Sequence, residues 1–201
     1  MLICWSEIQS STHPWQPSRY VLAEEVEKDI SAGKVFERRN PAAELLSGQP
    51  MVFQGAMAGL RFAKKYRVLT LSFHRDDLGV AAFNSGDPLL WQQVSAAVEL
   101  VCETALAGVP VEARPPHLMT THTHVGRLEV NIAVPRFVLS SEGKISGIDP
   151  HPMQRGSQNL GDALRDVLNT SFHWRAPTRA KPRGVLRGPN WAEKRPAAPE
   201  P

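Results

Sequence analysis

The sequence predicts an α+β fold, a mostly antiparallel sheet with helices packed on one face, from three observations. Strand-like and helix-like segments follow the order strand, helices, strand, helix, hairpin, helix, which is typical of such a sandwich. Residues 128–134 alternate apolar and polar side chains, as a strand with one buried face does. After Asp87-Pro88, an apolar stripe recurs at helical spacing. We expect one domain at residues 1–175.

The bulk composition fits a single globular domain. The chain has 201 residues, of which 42% are hydrophobic, and this is enough to bury a core. It contains no apolar run of the roughly 20 residues that a membrane span needs, and its N-terminus lacks a secretory pattern. We therefore expect a cytoplasmic protein without a membrane segment. Cys4 and Cys102 lie among apolar residues and predict buried thiols rather than a disulfide or a zinc site.

Residues 176–201 form a basic, proline-rich segment that cannot build a core, and we expect a flexible tail there. The net charge of the chain is only +3, so the position of the basic residues matters more than the total. Such a tail could add sequence-independent contacts to nucleic-acid phosphates, or it could be only a solubilising extension. Composition alone leaves both interpretations open.

The first third of the sequence predicts one strand and three helices. Residues 1–5 form the strand. The first helix is expected to begin at Ser18 as its N-cap and to end before Gly33, because apolar residues recur on one face. That face consists of Val21, Leu22, Val26 and Ile30. Two further helices are predicted at 40–48 and from residue 50 to near residue 65, each opened by a proline.

The remainder of the sequence alternates strands with two longer helices. Each boundary is marked by a turn residue, a helix cap or a change between the strand and helix periods. The predicted elements are a strand at 66–73, a helix at 87–108, strands at 117–122 and 128–134, a hairpin around 141–144 and a helix at 158–172.

The two strands on either side of Gly126 carry the most informative polar residues. Strand alternation places Glu129 and Asn131 together on the face opposite the core, and the hairpin can bring His122 beside them. An imidazole, a carboxylate and an amide oxygen would suit Mg²⁺ or Mn²⁺ better than structural zinc. The alternative is the solvated face of an ordinary strand, with His122 and His124 as turn residues.

Several of these segments resemble the relaxase and mobilisation nucleases, single-strand endonucleases with a histidine-hydrophobe-histidine metal strand. The resemblance rests on His122-Thr123-His124, on Leu128-Glu129-Val130-Asn131-Ile132, and on Arg136. It extends to Leu71-Ser72-Phe73 and to Ser18-Arg19-Tyr20-Val21-Leu22, which is similar to the family's nucleophile segment. The resemblance implies a relaxase-like, ferredoxin- or palm-like sandwich.

The metal motif differs from the common form of the family at three positions. Glu129 and Asn131 stand where two histidines are commoner, and the resulting His-Glu-Asn set resembles a variant found among relaxases. His124 stands where an aspartate is usual.

The resemblance implies a metal-dependent, site-specific endonuclease and strand transferase of plasmid mobilisation that forms a 5′-phosphotyrosine intermediate. Tyr20 would be the nucleophile, preferred over Tyr66 for its place in the family's register, and His124 would either accept a proton or only line the site. The metal ligands would be His122, Glu129 and Asn131, and the DNA contacts Ser72, Arg127 and Arg136. The implied partners are single-stranded DNA at a transfer origin and accessory mobilisation proteins.

Two alternatives remain open from the sequence. A relaxase-like domain with a degenerate site could bind DNA without cutting it. A replication-initiation nickase of the same fold would use the same chemistry at a different origin.

Overall fold

A computed structural model describes residues 1–6, 9–10, 15–30, 33–61, 63–151 and 156–175. The first half contains β1 (Leu2–Trp5), β2 (Gln9–Ser10), α1 (Gln16–Leu22), β3 (Glu25–Ile30), β4 (Gly33–Arg38), β5 (Glu44–Ser47), α2 (Pro50–Gly59) and β6 (Lys64–Ser72). The second half contains α3 (Val80–Asn84), α4 (Pro88–Ala105), β7 (Leu118–His122), β8 (Glu129–Pro135), β9 (Phe137–Leu139), β10 (Ile145–Gly147) and α5 (Ser157–Ser171).

The main sheet is antiparallel throughout. Five strands lie in the order β1, β6, β8, β7, β5, and the short β2 also pairs with β6. The central strand β8 pairs with β6 on one side and with β7 on the other. Two separate hairpins, β3 with β4 and β9 with β10, complete the strands of the described residues. The α+β class with a mostly antiparallel sheet is therefore confirmed.

The larger core lies on the first face of the sheet, where alternate residues of the central strands are apolar. Leu69 and Leu71 of β6 and Val130 and Ile132 of β8 are fully buried there. Helices α3, α4 and α5 cover this face. Helix α4 begins where the sequence predicts, because the Asp87 carboxylate accepts hydrogen bonds from the first backbone N–H groups of the helix.

A second, smaller core lies on the other face, and this corrects the expectation that all helices pack on one face. Val21 of α1 and Phe53 of α2 are fully buried against Leu118 and Ala133 of the sheet. This cover lies over only part of the second face. The polar ends of β6, β7 and β8 lie beyond it, and they form the candidate site described below.

The prediction of one helix from Ser18 to Gly33 was wrong. Helix α1 ends at Leu22, and the following residues form the β3–β4 hairpin. The physical reason is that Leu22, Val26 and Ile30 are four residues apart, and four is a multiple of the strand period of two as well as close to a helical turn. Acidic residues at 25, 27 and 29 stand at every second position, in alternation with the positions of Val26 and Ile30. This period of two is typical of a strand and not of a helix.

The predicted helix at 40–48 was also wrong. Glu44–Ser47 is the edge strand β5, which pairs with β7. A helix of so few residues before Gly48 is not stable on its own. The backbone N–H and C=O groups of Glu44–Ser47 find their hydrogen-bond partners in β7 and not within a helix. The next helix does begin at Pro50 but ends at Gly59, because β6 already begins at Lys64.

The other predicted elements are confirmed within three residues: the first strand, β6, α4, the β7–β8 hairpin, the β9–β10 hairpin and α5. Gly126 lies in the β7–β8 turn with a left-handed φ of 71°. The cysteine prediction was wrong for Cys4, which is exposed, whereas Cys102 is partly buried; both are free thiols. The predicted tail at 176–201 lies outside the described residues. Among the described helices, none is long and apolar enough to cross a membrane.

Candidate nucleic-acid site

The candidate site lies on the second face of the sheet, where three strands end in polar residues. Pairing places Glu129 of β8 directly between Ser72 of β6 and His122 of β7. One pleat further in, Asn131 lies between Thr70 and Thr120 in the same way. The hairpin thus brings His122, Glu129 and Asn131 together, as the alternation and the turn predict.

A directional chain of hydrogen bonds crosses this face from β6 to α1. The Thr70 hydroxyl donates to Asn131 Oδ1 at 2.7 Å, and Asn131 Nδ2 donates to His122 Nδ1 at 3.1 Å. His122 Nε2 then donates to the backbone carbonyl of Val21 at 2.8 Å. Each donor in the chain faces an acceptor, so His122 is held as the neutral Nε2–H tautomer. His122 and Asn131 are both buried.

The burial of His122 opposes its protonation. Burial lowers the pKa of His122 below its ordinary value, and the nearby Arg39 and His124 act in the same direction. The Val21 carbonyl and the Glu129 carboxylate raise that pKa and only partly offset the effect of burial. A neutral imidazole is therefore the state that this surrounding favours at neutral pH.

Glu129 is held on the open side of the site. Arg127, two residues earlier, donates to Glu129 Oε1 from Nε at 2.9 Å and from Nη2 at 2.6 Å. The Ser72 hydroxyl is 3.5 Å from the same oxygen. Arg127 and Ser72 thus lie at the site, where the sequence places them as DNA contacts. The Arg127 side chain is about half exposed, so it is accessible to a phosphate from solution.

Arg39 is a part of the site that the sequence analysis missed. This arginine follows β4 and is buried, and its Nη1 donates to the carbonyls of Tyr20 at 3.2 Å and of Ala23 at 2.9 Å. Its guanidinium therefore holds the last turn of α1, where carbonyls lack helical partners. Burial lowers the pKa of Arg39, and the Tyr20 phenol and the Glu129 carboxylate act in the opposite direction. No local pattern distinguishes Arg39 from its exposed neighbour Arg38.

Tyr20 lies at the edge of this polar cluster and is accessible. Its side chain is 64% exposed, and its ring centroid is 5.9 Å from Arg39 Cζ. The next residue, Val21, gives the carbonyl that His122 binds. Tyr66, the other tyrosine of the chain, is packed in the smaller core instead, where burial raises its pKa. Position and exposure thus favour Tyr20 over Tyr66 as a group that can meet a substrate.

His124 and Arg136 differ in how close they lie to the cluster. The His124 ring is 5.8 Å from the His122 ring, centroid to centroid, in an edge-to-face arrangement. Arg136 follows the opposite end of β8, roughly 23 Å along the strand from Glu129. There it donates to the Lys64 carbonyl at 3.0 Å and pairs with Asp149. The structure therefore places His124 in the site and Arg136 away from it.

The predicted metal ligands are adjacent, but both nitrogens of His122 are already engaged in hydrogen bonds. Both ring nitrogens of His122 are in hydrogen bonds, Asn131 Oδ1 accepts from Thr70, and Glu129 pairs with Arg127. A metal ligand needs a free lone pair directed at the ion, and His122 has none in this arrangement. This arrangement does not fit Mg²⁺ or Mn²⁺.

Comparison with known proteins gives a result only at the level of structure, since no protein-family model and no curated protein matches the chain. A metal-bound structure of the conjugative relaxase TrwC in complex with oriT DNA aligns with a TM-score of 0.52 and 14% identity, over 86% of this chain and 69% of that one. The fold is relaxase-like. The metal-free TrwC complex aligns equally well, with 13% identity and the same coverage.

A third similar structure, described as the molecular basis of vancomycin resistance transfer in Staphylococcus aureus, aligns with a TM-score of 0.48 and 9% identity. It covers 86% of this chain and 93% of its own. At identities this low, the two TrwC alignments establish the relaxase-like fold alone and leave the chemistry of the site to be argued from its residues.

Proposed function

We propose that this relaxase-like domain binds single-stranded DNA along the exposed edge of α1 and cuts one strand with Tyr20 as the nucleophile. The observation that carries the proposal is the 2.8 Å hydrogen bond from His122 Nε2 to the Val21 carbonyl. It fixes the backbone next to Tyr20 on the polar end of the sheet. An exposed phenol beside a buried polar network is an arrangement suited to covalent catalysis.

The proposed reaction is a transesterification at phosphorus. The Tyr20 oxygen forms a bond to the scissile phosphorus, and the bond from phosphorus to the 3′-oxygen breaks. The products are a 5′-phosphotyrosyl link and a free 3′-hydroxyl, and the link conserves the phosphoester for later rejoining. The phenol proton passes to a base, for which His124 is the candidate beside His122, and the 3′-oxygen gains a proton.

The proposed substrate is a single strand of DNA at a transfer origin. The TrwC structures hold oriT DNA, and we extend that substrate class to this chain on the basis of the shared fold. The side chain of Arg127 is accessible beside Glu129 and is the proposed phosphate contact.

The sequence predicts a metal held by His122, Glu129 and Asn131, and the assay below measures this metal dependence directly. The hydrogen bonds of these residues do not leave an open ligand set, and no step of the proposed reaction passes through a metal. Mg²⁺, Mn²⁺ and a chelator therefore form separate arms of the assay.

The second candidate function is DNA binding without cutting. One observation favours it: the three polar residues of the site are paired with one another or with Arg127, as in a network that only stabilises the fold. Such a domain would compete with, or regulate, an active nicking protein. The two candidates differ in whether a covalent bond to DNA forms.

The test uses the full chain and single-stranded oligonucleotides tiled over both strands of the DNA that adjoins its gene. We expect wild-type protein and Tyr66→Phe to form a covalent protein–DNA adduct that survives denaturing electrophoresis, and Tyr20→Phe to form none. Binding by all three proteins without an adduct would select the non-cutting candidate. Absence of both binding and adduct would contradict the whole proposal.

A further inference from the structure

Arg39 is a buried cation that the proposed chemistry has not yet used. It is only 4% exposed, although arginine is rarely buried unless its charge is paired. Its Nη1 reaches carbonyl oxygens of α1, which are neutral acceptors and do not cancel the charge. Its nearest aromatic contact is the Tyr20 ring, with Cζ at 5.9 Å from the centroid.

The charge of Arg39 lacks a contacting anion among the described side chains. No described carboxylate lies within 4.0 Å of its guanidinium, and its buried Nε has no hydrogen-bond partner in the described part of the chain. Glu129 is near enough to influence Arg39, but it forms its ion pair with Arg127 instead. A buried cation in this state is stabilised when an anion arrives beside it.

We propose that Arg39 supplies the fixed positive charge of the nicking site, the role that the sequence assigns to a divalent metal. This inference rests on the proposed function. Arg39 acts through Tyr20 and is a positioning residue. It binds the backbone carbonyls of Tyr20 and Ala23. Its positive charge attracts, and so stabilises, the negative charge that develops on the phenol oxygen and the phosphate. Arginine suits this role because it stays protonated at any physiological pH.

A fixed charge on Arg39 leaves two of the predicted metal ligands, His122 and Asn131, free to bond to each other, while Glu129 pairs with Arg127. With Arg39 present, Thr70, Asn131 and His122 anchor α1 through Val21 while Arg39 anchors it through Tyr20 and Ala23. The site then has a preorganised positive charge on buried Arg39 next to the exposed Tyr20, and a fixed, desolvated charge acts more strongly than one in water. Adduct formation in the presence of a chelator is the expected result.

The experiment separates the charge of Arg39 from its hydrogen bonds. Arg39→Gln keeps a donor for the carbonyls and removes the charge, whereas Arg39→Lys keeps the charge with a different donor. We expect Gln to lower the rate of adduct formation about 100-fold and Lys to lower it no more than about tenfold. Arg38→Gln is the matched control, because Arg38 is exposed and pairs only with exposed Glu24 in the described part of the chain. We expect it to leave the rate unchanged.

Folding is checked by urea unfolding of each variant, and the rates are measured with chelator, with Mg²⁺ and with Mn²⁺. A folded Gln variant as fast as wild type, or a folded Lys variant as slow as Gln, overturns the inference while leaving the proposed function intact. If Arg39→Gln does not fold, the rate of Arg39→Lys is the test, and a decrease of more than about tenfold overturns the inference. A wild-type adduct that needs Mg²⁺ or Mn²⁺ also overturns it. Absence of any wild-type adduct contradicts the proposed function instead.

Discussion

At the scale of single residues, Asn131 joins the middle of the sheet to the helix that carries Tyr20. Its amide accepts from Thr70 and donates to His122, so both ends are satisfied in a buried position. Buried polar groups in such a network stabilise the fold only while every member has a partner, because a polar group left alone is costly. The position of α1 therefore depends on Asn131, although the hydrogen bonds of this side chain go to Thr70 and His122 rather than to α1.

The first prediction concerns the removal of that amide. Asn131→Ala leaves the Thr70 hydroxyl and His122 Nδ1 without partners, and we expect the free energy of unfolding to fall by about 1–3 kcal/mol. Urea unfolding measures the change as a shift in midpoint. Glu142→Ala is the control, since this glutamate is exposed in a turn and pairs only with exposed Lys144 in the described part of the chain. An Asn131→Ala variant as stable as the control would mean that the network contributes nothing.

At the scale of elements, the sequence predicts secondary structure most reliably where the spacing of its apolar residues fits either a helix or a strand but not both. The β7–β8 hairpin and α4 were predicted because strict alternation and a capped helical stripe each fit only one kind of structure. The β3–β4 hairpin was missed because apolar residues four apart fit both periods. Edge strand β5 was missed because it depends on pairing with β7, more than 70 residues later.

Local sequence patterns predicted the candidate site only in part. The hairpin turn and the strand alternation were enough to bring His122, Glu129 and Asn131 to one place. They could not reveal that both nitrogens of His122 are engaged, since Val21 is 101 residues away in sequence. Arg39 follows a hairpin whose first strand was predicted as helix, so its position beside Tyr20 was beyond the reach of local patterns.

The next prediction tests how closely two elements approach. Gly48 joins β5 to α2 with φ of +92°, and a Cβ there would lie 2.2 Å from the His117 carbonyl oxygen at the entry to β7. We expect Gly48→Ala to cost at least about 2 kcal/mol, because the conformation is strained for alanine and backbone must move.

Gly55 is the matched control for this substitution. It lies within α2, and a Cβ there would meet no atom within 4 Å. We expect Gly55→Ala to raise the free energy of unfolding by about 0.5–1 kcal/mol, because alanine favours the helix. Urea midpoints that move in the same direction for both variants would contradict the described path of the chain.

At the scale of the whole molecule, the two faces of the sheet have separate roles. The first face packs against α3, α4 and α5 in the larger core, which contains none of the polar residues of the site. The second face is apolar beneath α1 and α2 and polar beyond them, so the nucleophile candidate lies at the border between cover and opening. This division lets substitutions at the polar border alter chemistry while the larger core keeps the domain folded.

Locating the covalent bond between protein and DNA shows whether Tyr20 attacks the strand. The wild-type adduct formed with the tiled oligonucleotides is digested with nuclease and protease, and the peptides are sequenced by mass spectrometry. We expect a nucleotide joined through its 5′-phosphate to Tyr20, and unmodified Tyr66. A nucleotide linked to any other residue would contradict the role of Tyr20. So would a protein that carries no linked nucleotide after incubation with every oligonucleotide.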